Sequence, residues 1–140
     1  MPPARGKEGV ETDKLDEIFR LQGKFDADLA RSRGLSFSFE EWMQKEAMAM
    51  TAEIGELLEE VNFKWWKNPR PIDLARIREE LVDILHFLVA ACIRAGLDAE
   101  SLYREYVKKN SENFRRQDGR SERREYCAPT GSSLRGDPEE

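Results

Sequence analysis

The stretch from Glu79 to Ile93, EELVDILHFLVAACI, constrains the fold more than any other part of this chain. Between Leu81 and Ile93 the polar side chains are Asp83 and His86, so a helix there is apolar on nearly every side and belongs in the middle of a bundle. A carboxylate and an imidazole in such a segment are costly unless a metal, a partner or a ligand compensates them. Glu80 and Asp83 stand three apart, on neighbouring positions of one helical face. The chain is expected to be organised around this ExxD pair.

A length of 140 residues points to one domain whose modest core draws on a second subunit. Its 39% hydrophobic and 36% charged residues fit a soluble helical protein rather than a disordered one. The central apolar run falls short of the roughly 20 residues a membrane span needs. The N-terminus has no secretory pattern. Cys92 and Cys127 make no disulfide framework, so a reducing, cytoplasmic home without a membrane partner is expected. A formal charge of −5 argues against nucleic-acid binding and requires cations between the protein and any anionic ligand.

Taken in order, residues 1–11 show no periodicity and are expected to be disordered. Asp13 is a suitable cap for a first helix to about Arg31, with Leu15, Ile18, Phe19, Phe25 and Leu29 as its apolar stripe. Gln22 interrupts that stripe, with Asp26 one turn on; it reads either as a tolerated amide at a solvated edge or as an amide aimed into a pocket. Ser36 or Ser38 caps a second helix from Phe39 to Phe63, whose seam runs through Trp42, Met43, Ala47, Met50, Ile54, Leu57, Leu58 and Val61. At about 100° per residue, Glu53, Glu56 and Glu60 line one flank of that seam and Glu59 points away. An isolated ExxE is ordinarily a solvated acidic face. It reads as a cation site here only because a second acidic pair exists.

Phe63-Lys64-Trp65-Trp66-Lys67-Asn68-Pro69-Arg70-Pro71 then forces a turn; its aromatics and lysines either cover the end of the bundle or rim an anionic ligand. A third helix spans Ile72 to Arg94 and stops at Gly96, and Asp98 caps a fourth to Gln117. The inner face of that fourth helix starts with Leu102, Tyr103, Tyr106 and Val107 and continues as Asn110, Asn113, Phe114 and Gln117, bordered by Lys109 and Arg116. The amides mark either a fraying end or a polar hollow. Residues 119–140 read as a disordered tail after a domain over 12–118.

Every helix thus carries polar groups on or beside its buried face: Gln22 and Asp26, Glu53 and Glu56, Glu80, Asp83 and His86, Asn110 and Asn113. The repetition suggests a polar cavity inside a helical bundle. Four carboxylates suit hard divalent ions, Mg²⁺ or Mn²⁺, better than zinc, and bound cations would let an acidic protein hold a triphosphate. Two ions can orient and deprotonate water for in-line attack on phosphorus, with a glutamate taking the proton. His86 is read as a packing or sugar-contact residue rather than a metal ligand.

Ala52-Glu53-Ile54-Gly55-Glu56 followed by Glu80-Leu81-Val82-Asp83 resembles the all-α nucleoside triphosphate pyrophosphohydrolases, the MazG-like superfamily. Phe63-Lys64-Trp65-Trp66-Lys67, Asp83-Ile84-Leu85-His86-Phe87, Lys109-Asn110 with Asn113 and Arg116-Gln117, and Leu21-Gln22 with Asp26 resemble its dimeric dUTPase branch in order and spacing. The resemblance implies an all-α four-helix bundle that hydrolyses dUTP to dUMP and pyrophosphate with two or more Mg²⁺ ions, as a homodimer or a dimer of dimers. It further implies that Glu53, Glu56, Glu80 and Asp83 hold metal, with Glu53 activating water and Glu56 next in line. Lys64, Lys109 and Arg116 would meet phosphates; Trp66, His86, Phe87, Asn110 and Asn113 would border the nucleoside; Gln22 and Asp26 would sit at the base end. Two departures from that branch, the short loop after the third helix and Asp26 where an Asn would read uracil, point to a broader or dCTP-preferring enzyme as the alternative. The rival without chemistry is a helical interaction module whose acids are only a solvated face.

Overall fold

Asp13 opens the first helix by accepting a hydrogen bond from the Asp16 N–H at 2.9 Å. The computed structural model describes residues 13–119, so the expectations for 1–11 and for the tail beyond Gly119 lie outside the described residues. Helix α1 runs Lys14–Arg33 and ends at Gly34, whose φ of 61° lets the Leu35 N–H reach back to the Ala30 carbonyl at 2.8 Å. Helix α2, Phe39–Glu60, starts in a reciprocal cap. There Ser38 Oγ accepts from the Glu41 N–H at 3.1 Å and the Glu41 carboxylate accepts from the Ser38 N–H at 2.8 Å.

The sequence pattern carries α2 to Phe63, but the helix stops at Glu60. The cause is Asn62, held at a φ of 55°, whose side chain clamps the far end of the following loop. Its Nδ2 donates to the Arg70 carbonyl at 2.9 Å and its Oδ1 accepts from the Arg70 N–H at 2.8 Å. A short polar side chain tolerates the left-handed region that a continuing helix cannot use.

Helix α3, Leu74–Arg94, is capped by Asp73, which accepts from the Ala75 and Arg76 N–H groups. It closes through Gly96 at a φ of 81°, with the Leu97 N–H on the Cys92 carbonyl at 2.9 Å. Helix α4 spans Ala99–Gln117. Four helices and no strand make up the described residues, an all-α chain. No helix among them is long and apolar enough to cross a membrane.

The chain divides into two compact units, one ending at Glu100 and the other beginning at Ser101. In the first, α3 packs extensively along α2 and more lightly on α1. The core gathers at the C-terminal half of α3, where Val89, Ala90, Ala91 and Cys92 are buried, with Phe19 of α1 and Ala99. Burial raises the Cys92 thiol above its ordinary value.

Within this one chain α3 is not enclosed on all sides. Leu81, Val82, Leu85 and Leu88 remain exposed, as do Ile54, Leu58 and Val61 of the expected α2 seam and Leu21 and Phe25 of α1. A helix with two neighbours has only part of its circumference covered, so an all-round apolar segment leaves a face to solvent. In the second unit Leu102 is half-buried, while Tyr103, Tyr106, Val107, Asn110, Asn113, Phe114 and Gln117 are exposed. The stripe expected to be buried is thus exposed from Tyr103 onward.

Candidate active site

Five glutamates and an aspartate face the α2–α3 contact and its flanks, and cations answer two of them. Glu59 pairs with Lys64 Nζ at 2.5 Å, and Glu60 pairs with Arg76 Nε at 3.2 Å. The line expected through Glu53, Glu56 and Glu60 thus divides, with Glu60 drawn into an ion pair.

The remaining acids converge. Spacings of three put Glu53 and Glu56 on one face of α2 and Glu80 and Asp83 on one face of α3, and packing joins the two faces. Carboxylate oxygens of Glu53, Glu80 and Asp83 lie within 4.8 Å of one another. Glu80 is buried, Glu53 and Asp83 are half-buried, and Glu56 is exposed beside Glu53 and Glu80. Glu53 Oε2 and Glu80 Oε2 are both shielded from solvent without a hydrogen-bond partner among the described residues.

Loss of hydration, then the facing charges of Glu56, Glu53 and Asp83, push the Glu80 carboxyl up to about 7. Loss of hydration also raises Glu53, followed by the charges of Glu56 and Asp83. Buried acceptors without donors, set among like charges, are groups that a bound cation could satisfy. An all-oxygen donor set fits a hard divalent ion.

The base-end candidates form a second arrangement. Gln22 is buried on α1, its Nε2 donating to Asp26 Oδ1 at 2.8 Å and its Oε1 2.6 Å from His86 Nδ1 on α3. Gln22 is thus not at a solvated edge, and both ends of its amide are in use. Burial raises the Asp26 carboxyl, while the Gln22 amide and the charges of Arg94 and His86 pull it down. Phe87, the next residue, is half-buried.

Sequence reasoning missed Glu46 and Arg94. Glu46 is buried, and Arg94 Nε lies 3.2 Å from its Oε1 while the guanidinium sits 3.4 Å over the Trp42 ring. Burial raises Glu46, Arg94 opposes that, and the charge of Asp26 adds to it. The available signal was an arginine closing an otherwise apolar helix.

The connection between α2 and α3 holds Lys64, Lys67 and Arg70 around a polar pocket of about 420 Å³ with Glu59, Asn62 and Asn68. Trp66 is exposed and meets Trp65 edge-on at 4.6 Å. In the second unit, Lys109, Asn110 and Asn113 are exposed on α4, and Arg116 is buried with its Nε 3.4 Å from Glu112.

A family model described as dUTPase matches residues 14–97, the span that holds α1, α2, α3 and the acid cluster. The dCTP pyrophosphatase of Enterobacteria phage LZ5 is 33% identical over 99 residues, 71% of this chain and 58% of that protein. The dCTP pyrophosphatase of Enterobacteria phage T4 is 44% identical over 48 residues, 34% of this chain and 28% of that protein. The chain spans little more than half the length of the first curated relative and about a quarter of the second. No solved structure matches it significantly.

Proposed function

Because the chain belongs to the dUTPase family, we propose that it hydrolyses a pyrimidine deoxynucleoside triphosphate between the α and β phosphates, releasing the monophosphate and pyrophosphate. The observation that carries this reading is the pair of orphaned oxygens, Glu53 Oε2 and Glu80 Oε2, in a cluster that Asp83 and Glu56 complete. Glu53, Glu56, Glu80 and Asp83 would hold two or more Mg²⁺ ions, with Mn²⁺ as a substitute. Bound Mg²⁺ supplies a Lewis acid for the phosphoryl oxygens and offsets the charge of the triphosphate.

Glu53 is the group to accept the proton of the attacking water, and Glu56 is the second choice. As the water oxygen bonds to phosphorus, the bridging P–O bond breaks and pyrophosphate departs. Within the first unit Lys64 serves the phosphates, Trp66, His86 and Phe87 serve the nucleoside, and Gln22 and Asp26 serve the base end; the family resemblance extends phosphate contacts to Lys109 and Arg116 and substrate contacts to Asn110 and Asn113. The working form is a homodimer or a dimer of dimers, supported by the exposed Leu81 and Leu88 of α3. Its place is the cytoplasmic nucleotide pool.

The family description supports dUTP as substrate, and hydrolysis would then keep uracil out of DNA. The names of the phage relatives and the acceptor Asp26 support dCTP. Pyrophosphate release from dUTP, dCTP, dTTP and dATP, with Mg²⁺ and with chelator, tests the reading. Turnover of dUTP or dCTP that needs Mg²⁺ is expected. Equal rates on all four would replace the pyrimidine claim by a broad pyrophosphohydrolase, and no release from any would overturn the enzymatic reading.

A further inference from the structure

Gln22 and His86 line an apolar groove of about 440 Å³ between α1 and α3, together with Leu21, Phe25, Val82 and Leu85. The wall is almost wholly apolar, and the hydrogen bonds dictate which way the polar atoms of Gln22 and His86 point. An ionised carboxylate only accepts, so Asp26 obliges Gln22 to turn its NH₂ toward Oδ1 and its carbonyl toward His86. A carbonyl also only accepts, so His86 Nδ1 must carry the proton. In the neutral ring the lone pair is then left on Nε2, which has no protein partner among the described residues.

The upstream end of this chain of bonds is anchored as well. Burial raises the Asp26 carboxyl, and the charge of Arg94, fixed by Glu46 and by the face of Trp42, opposes that shift.

We propose that Asp26, acting through the Gln22 amide, holds His86 as its Nδ1–H tautomer and so presents Nε2 as an acceptor that selects a base with an amino group, cytosine, over one with a carbonyl at the same position, uracil. The inference rests on the functional reading above and names the substrate within it. Asp26 is a positioning residue here, and His86 makes the contact.

Asp26→Asn removes the constraint. The new amide can donate to the Gln22 carbonyl, Gln22 then turns its NH₂ to Nδ1, and the ring proton moves to Nε2. The group offered to the base changes from acceptor to donor, which matches the 4-carbonyl of uracil.

His86 is the sole histidine of the chain, so its ring nitrogens can be read in the full-length ¹⁵N-labelled protein without assignment. In spectra taken with the ring in its neutral form, the wild type is expected to show Nδ1–H and Asp26→Asn to show Nε2–H. The ratio of kcat/KM for dCTP to that for dUTP is expected to fall about tenfold in the variant. A wild-type ring protonated at Nε2 overturns the proposal, and that spectrum decides even where Asp26→Asn does not fold. Hydrolysis at a ratio untouched by Asp26→Asn overturns this inference alone, whereas turnover of neither nucleotide overturns the functional reading on which it rests.

Discussion

Arg94 lies over the Trp42 ring, 3.4 Å from guanidinium carbon to ring centroid, and ties the end of α3 to the first turns of α2. The same side chain answers the buried Glu46 carboxylate. Arg94→Ala leaves that carboxylate alone in a desolvated place and bares the tryptophan face. A loss of about 2 kcal/mol in urea unfolding is expected, below the full cost of breaking a deeply buried pair because Arg94 keeps some solvent contact. Arg20→Ala, which breaks the exposed pair with Glu17, is expected to leave the midpoint where it is.

Glu53→Gln and Asp83→Asn each remove a charge from the cluster and a hard ligand from the candidate metal site. Pyrophosphate release is expected to fall by about a hundredfold or more in both. Thermal unfolding in chelator should move the other way or stay level, because repulsion among the remaining acids is relieved. A loss of activity with the metal-free fold intact separates a site role from a packing role.

The Glu80 carboxyl, up at about 7 in the folded chain, gives a pH dependence of definite sign. An acid whose folded value exceeds its ordinary 4.5 binds protons more tightly when folded. Its contribution to stability is complete below pH 4.5 and is lost as the pH rises through about 7. In chelator, wild type should therefore lose ground relative to Glu80→Gln across that window. Mg²⁺ competes with the same proton, so its stabilising effect should be larger at pH 8 than at pH 5.5. Calorimetric midpoints at the two pH values, with and without Mg²⁺, check both statements.

Leu81 and Leu88 stand seven apart on α3, on one face, and both are about half exposed. If a second copy covers that face, the wild type sediments as a dimer or larger, and Leu81→Lys with Leu88→Lys shifts it to monomer while helical content by circular dichroism persists. A wild type that sediments as a monomer at every concentration would remove the dimer from the functional reading.

Much of this architecture is local in origin and so readable from sequence. Asp13 and Ser38 cap helices as side chains just ahead of an apolar pattern are expected to, and the spacings of Glu53 with Glu56 and Glu80 with Asp83 fix a shared face on each helix. Which acids remain unanswered is another matter. Glu60 meets Arg76 and Glu46 meets Arg94 only through the register of α2 against α3, and no short-range pattern encodes a register. The early end of α2 has the same kind of cause, since Asn62 is held by bonds to a residue eight positions away. The apolar girth of α3 predicts that something covers it without specifying whether that is another helix of the same chain.

The clasp between Asn62 and Arg70 turns the intervening residues into a closed ring tied off at its neck. Lengthening or shortening the ring changes its closure entropy only slowly with size, and the helices on either side do not register the change. The tryptophan-bearing segment can thereby change in length while the acids on α2 and α3 keep their alignment. Tolerance to insertion should accordingly break off sharply at the two residues that form the knot.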